Sequence, residues 1–216
     1  SQMSVEDATE QARRMGVTFG IAEIHPIVNS FMQTLFPFFG NTPADATEEN
    51  LQARIRGVLL MALSNKFSGL VISTSNKSET AVGYTTLYGD MVGGFALLKD
   101  VPKTWVYKLA HYRNSISTII PNEIIKRPPT AELSPNQLDQ NSLPKYEILD
   151  KIIELYIEKD LDIASIVKKG FTSKNVNRVV KLINNNEFKR AQSPIGPKIT
   201  HRAFGKDRRY PVTFKH

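Results

Sequence analysis

"EENLQARIRGVLLMALSNKFSGLVISTSNKSE", Glu48 to Glu79, decides the fold. Residues 48–67 are patterned as a helix: Leu51, Ile55, Leu59, Ala62 and Leu63 fall near one face, and the first turn is acidic, as the positive end of a helix dipole favours. Gly69 ends it. "LVIS", Leu70 to Ser73, is a short β-rich run between turn signals, the composition of a strand buried in a parallel sheet. Upstream, "VTFGIAEI", Val17 to Ile24, alternates as a strand and stops at His25-Pro26. Strand, helix, strand is a β-α-β rhythm, which predicts an α/β fold: an open, mostly parallel sheet with flanking helices. Ligands bind outside the carboxyl ends of strands in such sheets, and "STSNKSETAVGYTTLYGD", Ser73 to Asp90, begins at one.

Outward from this unit, Ser4 to Met15 reads as a helix, with Ser4 as N-cap, Asp7 at the third position and Gly16 just past the end. Ile27 to Phe39 is an apolar helix that Pro37 should end, and residues 40–47 are a loop of turn residues. "GGFALLKDV" follows the polar stretch, then a helix from about Pro102 to Tyr112. Arg127 to Pro144 holds four prolines and no helical period, and loops of that length inside a compact domain are usually functional or disordered. Tyr146 to Glu158 is helical and apolar-rich. Ile163 to Lys169 is a short helix closed by Gly170, and Ser173 caps a third helix carrying Val176, Val179, Val180 and Ile183. The organisation expected is an α/β part over residues 1–130 and a loop, helical region and basic tail over 131–216.

The chain's 216 residues suffice for a real core, and its 41% hydrophobic and 23% charged residues are ordinary for a globular protein. With no cysteine there is no disulfide framework and no Cys-ligated metal, which is compatible with a cytoplasmic protein. No apolar run approaches the roughly 20 residues needed to cross a bilayer. No signal peptide or initiator Met is present, and "SQMSVEDATE" reads as the middle of something longer. The net charge of +7 is either a solubility surplus or the mark of an anionic partner. It is concentrated at the C-terminal end, where residues 187–216 carry eight Lys/Arg against Glu187 and Asp207.

The four histidines, His25, His111, His201 and His216, show no metal-ligand spacing. There is no G-x-S-x-G elbow and no G-x-x-x-x-G-K-[ST] loop, and "GDMVGG" does not match the dinucleotide fingerprint. Glu79 and Asp90 alone read as surface acids. Their neighbours point to a second reading. Thr74, Ser75 and Asn76 offer neutral polar groups at a strand end, and a carboxylate there suits magnesium, which binds through one or two carboxylates plus substrate phosphates. Lys103 at a helix start opposes the dipole, so with the free N–H groups there it reads as a phosphate contact. Thr130 presents a hydroxyl after the stiff Pro128-Pro129. Arg54 and Arg56 lie on opposite sides of their helix, and only one can share a ligand with Asn50. The residue chemistry is that of a magnesium-nucleotide site.

"NLQARIRG", "STSNKSETAVGYTTLYGDMVGGFALLKDVPKT", "RPPTAEL", "DQNSLPKYEILD" and "AFGKDRRYP" follow one another as they do in NAD synthetases. The chain most resembles the synthetase domain of the glutamine-dependent kind, over essentially its whole length. The resemblance implies an adenine-nucleotide alpha-hydrolase-like fold of the N-type ATP pyrophosphatases and an amide-forming ligase. ATP adenylates the nicotinate carboxylate of deamido-NAD, pyrophosphate leaves, and ammonia converts the acyl adenylate to NAD and AMP. An amidase domain of the same full-length chain supplies the ammonia from glutamine, and the enzyme is a homodimer. By motif position Glu79 resembles a magnesium ligand, Thr74, Lys103 and Thr130 resemble ATP contacts, and Asn50, Arg54, Asp90 and Lys189 resemble deamido-NAD contacts. No side-chain nucleophile is implied.

Two features depart from the family pattern. The pyrophosphate loop S-G-G-x-D-S does not occur in these residues, so the chain is expected to lack the first strand and that loop, and to have little activity alone. Phe188 stands where many ammonia-dependent members have His before the corresponding lysine, so no direct role is expected there. Two alternatives stay open: another ATP pyrophosphatase with a different substrate, and a nucleic-acid-binding module suggested by the basic tail. The second lacks any stacking-aromatic or base-reading pattern, so neither nucleic acid nor membrane is expected as a partner.

Overall fold

The computed structural model describes residues 1–134 and 137–214; Pro135 and Asn136 of the proline-rich loop, Lys215 and His216 lie outside them. In chain order the helices are α1 (Gln2–Met15), α2 (His25–Phe39), α3 (Ala46–Phe67), α4 (Lys77–Val82), α5 (Lys103–Ile116), α6 (Asn122–Lys126), α7 (Asp139–Ser142), α8 (Tyr146–Ile153), α9 (Ile163–Lys168), α10 (Ser173–Asn185) and α11 (Glu187–Ala191). Strand β1 (Ile72–Ser73) precedes α4, and β2 (Phe95–Ala96) follows it. The two strands pair in parallel, Ile72 opposite Phe95 and Ser73 opposite Ala96, so β1, α4 and β2 form a crossover unit. A parallel sheet is present as expected, but β1 pairs with β2, where no strand was expected, and not with residues 17–24; the sheet's carboxyl edge faces the polar stretch.

The main core lies around α4 and the C-terminal helices. Ala81 and Val82 of α4 pack with Tyr146, Leu149, Ile152 and Ile153 of α8, with Ile166 of α9, and with Val176, Val179, Val180 and Ile183 of α10. The i, i+3, i+7 spacing of Tyr146, Leu149 and Ile153 turns one stripe of α8 inward. Burying one such aliphatic side chain contributes about 1.5–3 kcal/mol, so this stripe outweighs the weak intrinsic stability of short helices. After Ile153 the helix widens into a π-helical turn, Glu154–Glu158, which places Glu158 beneath α4 beside Lys77.

Several expectations are corrected. Val17–Ile24 is not a strand: those residues are irregular, all but Ile24 are exposed, and among the described residues no backbone pairs with them in a sheet. Alternation creates a strand only where a neighbouring ladder completes it. Pro37 does not end α2, which starts at His25 and runs to Phe39; near the C-terminus a proline costs one backbone bond, and the N–H of the capping Gly40 still reaches Phe36 O at 2.9 Å. The N-cap of α1 is Ser1 instead of Ser4, and that of α10 is Thr172 instead of Ser173. The strand after Gly69 is half-exposed, with Ser73 buried and Ile72 49% exposed.

Helix α3 buries its apolar stripe only in part: Ile55 is buried, Leu51 and Leu59 are half-buried, and Ala62 is exposed. Ala53, Ile55 and Gly57 are its buried positions, while Leu63 is exposed. Ala53 and Gly57, four apart, form a flat face against which the loop after α4 lies. A Cβ on Gly57 would stand 2.9 Å from Tyr88 O, and one on Gly89 would stand 2.9 Å from Ala53 Cβ. Absence of side chains on both partners is what brings residues 86–90 against the helix.

Candidate functional site

The chain leaves β1 at Ser73 and enters α4 through a reciprocal cap. Asn76 Oδ1 accepts from Glu79 N–H at 3.0 Å, and Glu79 Oε2 accepts from Asn76 N–H at 3.1 Å. The cap pins one Glu79 oxygen to backbone and turns Oε1 toward Lys103 Nζ, 3.2 Å away. Lys103 is the first residue of α5, as expected. Its ammonium lies 5.5 Å from the centre of the Tyr146 ring, within cation–π range.

Thr74, Glu79, Asp90, Lys103, Thr130 and Asp139 line one cleft of about 720 Å³ at this strand end. Residues 127–132 form its far rim and are tied to α1: Arg127 pairs with Asp7 and donates to Ser4 Oγ at 3.0 Å, and Ser4 Oγ donates to Glu132 at 2.6 Å. Thr130 Oγ1 accepts from Glu132 N–H at 3.1 Å, which fixes the hydroxyl in the rim. Five of the eight residues named from the sequence thus meet in the cleft.

Asn50, Arg54 and Lys189 stand behind it. They hold the loop between α4 and Asp90 by its backbone and its one buried hydroxyl. Lys189 Nζ donates to Gly83 O at 2.8 Å and Thr85 O at 2.6 Å, and Arg54 Nε donates to Leu87 O at 3.2 Å. Thr86 Oγ1 donates to Asn50 Oδ1 at 2.8 Å, and Thr86 N–H donates to Asp90 Oδ1 at 2.8 Å. Ser73 Oγ donates to Asp90 O at 3.1 Å, so the end of β1 anchors the far end of the same loop. The Lys189 ammonium is desolvated by burial, which lowers its pKa, and the Asp90 carboxylate works in the opposite direction. Asp90 touches solvent, yet protein crowds its carboxyl on the cleft floor; that desolvation pushes its pKa up to about 6. Phe188 is 40% exposed beside Lys189.

Asp139 was not singled out from the sequence. It is 4% exposed at the start of α7. Its Oδ2 accepts from Tyr146 O–H at 2.7 Å, while Oδ1, itself shut off from solvent, has no hydrogen-bond partner among the described residues. The Tyr84 hydroxyl stands near enough to feel this carboxylate: burial first, and then Asp139, push its pKa up to about 12. An unpartnered buried carboxylate oxygen costs about 1–3 kcal/mol or more, and such costs persist where a ligand fills the place. The only sequence signal for Asp139 was its place in "DQNSLPKYEILD". The Asn76–Glu79 cap, by contrast, fits the N-x-x-E helix-start pattern and was readable.

Comparison with known proteins places this geometry in a class. The family model for NAD synthase matches residues 1–193. The chain belongs to the NAD synthase family. Glutamine-dependent NAD(+) synthetases of Acinetobacter baylyi and Aquifex aeolicus are 68% and 55% identical over 98% and 100% of this chain. The chain spans only 40% and 38% of their lengths. A solved glutamine-dependent NAD+ synthetase from Acinetobacter baumannii, in complex with ADP, is 64% identical with a TM-score of 0.59, over 98% of this chain and 38% of its own. At 22% identity a Cytophaga hutchinsonii synthetase superimposes with a TM-score of 0.79 over 98% of this chain and 37% of its own, which shows the shared adenine-nucleotide alpha-hydrolase-like fold.

Proposed function

We propose that this chain forms part of the synthetase site of a glutamine-dependent NAD(+) synthetase, which adenylates the nicotinate carboxylate of deamido-NAD with ATP and amidates it with ammonia. The observation that carries the reading is the cleft at the β1 end, where the Lys103–Glu79 pair, two threonine hydroxyls and two carboxylates converge. The names of the similar proteins, and the ADP held by one of them, support it.

In the first step a nicotinate carboxylate oxygen attacks the α-phosphorus of ATP and pyrophosphate leaves. Charge builds on the leaving oxygens, and Lys103 is the cation that turns from Glu79 to meet it. Thr74 and Thr130 hydroxyls hold the nucleotide, and Asp90 with its braced loop holds the dinucleotide. In the second step ammonia attacks the acyl carbon, AMP leaves and one proton is lost. No covalent enzyme intermediate is involved.

Magnesium is the metal the family implies, and the donor set fits it. Glu79 offers a hard carboxylate oxygen, Oε1, whose present partner is the Lys103 ammonium. No group of three or more His, Cys, Asp or Glu among the described residues could hold a metal by itself, which suits an ion held largely by nucleotide phosphates. Glu79 would hold it, and the ion would neutralise phosphate charge.

The test is NAD formation by the natural gene product that carries residues 1–216, with ATP, deamido-NAD and either glutamine or ammonia. NAD, AMP and pyrophosphate should appear in equal amounts. Because an ionised Asp90 is needed at the dinucleotide, the KM for deamido-NAD should rise as pH falls through about 6. ATP consumption without NAD would assign the chain to another ATP pyrophosphatase.

The same reading includes a homodimer. α2 buries none of its residues and lies against α3, and Phe31, Phe36 and Phe38 of α2 and Val58, Leu63 and Phe67 of α3 are exposed. A second copy covering part of this apolar surface would remove that part from water. Sedimentation as a monomer at micromolar concentration would overturn the dimer.

A further inference from the structure

The N-terminus of α5 carries Lys103 yet has no cap from its own sequence: Pro102 is the N-cap and offers no side-chain acceptor. Two residues from elsewhere take that place. Ser78 Oγ of α4 accepts from Lys103 N–H at 2.8 Å, and Asp150 Oδ2 of α8 accepts from Thr104 N–H at 2.9 Å. The Ser78 hydroxyl in turn donates to Asp150 Oδ1. One carboxylate therefore joins three helices at the point where Lys103 begins.

We infer that Asp150 is a positioning residue for the synthetase reaction, setting the Lys103 ammonium against Glu79 through Ser78 and the first turn of α5. The inference rests on the proposed function for the role of Lys103 and extends it to a residue outside the cleft. A lysine at a helix start is disfavoured by the dipole, and an anion capping the same turn offsets that cost. Asp150 supplies this anion with both oxygens fixed. Ser78 is fully buried and α4 is short, so the hydroxyl cannot shift without moving Glu79, the next residue. Asp150 lies outside the cleft, among the residues lining a separate hollow with Trp105, Glu154 and Lys159. Its part is therefore geometry, and it is not a catalytic residue.

The test is a double-mutant cycle in the natural gene product. Asp150→Asn keeps the size and one acceptor but loses the charge and one of two acceptor positions. It should lower kcat/KM for ATP by about 10-fold, because charge-assisted hydrogen bonds to the turn are lost. In a Lys103→Met background the same change should cost less than about 2-fold, because residues acting through one another are non-additive. A purely structural role would leave the two effects multiplicative. Full multiplication, or an unchanged kcat/KM in the single variant, overturns the inference. Where Asp150→Asn does not fold, Ser78→Ala with and without Lys103→Met decides by the same comparison. If the wild type forms no NAD but binds ATP, the cycle is read on the Kd for ATP, so failure of the functional reading is seen separately.

Discussion

Lys103→Met lowers kcat/KM for ATP by about 10²–10³-fold, the usual loss when one preorganised group facing developing charge is removed from a water-poor site. Two cations line the cleft among the described residues, Lys103 and Arg127, and Arg127 is engaged by Asp7 and Ser4 on the rim. Lys103 is the one whose present partner, Glu79, is itself a candidate metal ligand and so can exchange it for phosphate. Methionine preserves the length and the contact with the Tyr146 ring while deleting the charge. The cost to folding is small by comparison. The Lys103–Glu79 pair is 19% exposed on both sides, and Glu79 keeps its bond to Asn76 N–H when the lysine is lost. About 1 kcal/mol of stability is at stake, a shift of roughly 2–4 °C in Tm for a domain of this size. Rate and stability therefore separate. Steady-state kinetics with ATP varied, beside a thermal melt, measure both. A loss below about 5-fold would remove Lys103 from the phosphate site.

The site was more legible than the sheet, for a physical reason. Glu79 and Lys103 stand in the first turns of α4 and α5, and Asp90 and Thr130 in the loops after α4 and α6, where polar chemistry and turn signals coincide. The strand β1 and the start of α5 also followed from turn residues and short apolar runs, whereas β2 and α4 carried no such expectation. What failed depended on partners distant in sequence. Val17–Ile24 has a strand's alternation, but a strand is a property of two backbones. Periodicity puts Leu51, Ile55, Leu59, Ala62 and Leu63 on one stripe of α3, of which Ile55 is buried; the buried surface also includes Ala53 and Gly57, chosen for closeness. Asn50, Arg54 and Lys189 resemble ligand contacts, and no sequence signal shows that they also hold the 83–90 loop. Asp139 was hidden because an aspartate in a proline-rich loop looks solvated, and only packing against Tyr146 shows that it is buried.

Lys77→Met should destabilise the α4 region by about 3–5 kcal/mol, the range for removing one member of a buried ion cluster. Lys77 is fully buried. Its ammonium pairs with Asp100 at 3.0 Å and Glu158 at 2.9 Å, and donates to Thr200 Oγ1 at 2.6 Å and Arg202 O at 3.0 Å. Asp100 is further held by the N–H groups of Ile199 and Thr200 at 2.8 and 2.7 Å. Methionine fills the volume, so little cavity term arises; the cost is electrostatic. Two carboxylates remain close together without a cation, and Glu158, 11% exposed at its side chain, is the one with a route to water. Relief through Glu158 lowers the cost but also loosens the π-helical turn and the 199–202 segment from α4. Glu158→Gln, which leaves Lys77 paired with Asp100, should therefore cost much less. Amide exchange in the natural gene product reads this locally: protection of the α4 amides should fall by about 10²–10⁴-fold in Lys77→Met, and by less than about 10-fold in Glu158→Gln. Equal losses in the two variants would mean that the Lys77–Glu158 contact carries the whole effect and that pairing with Asp100 contributes nothing.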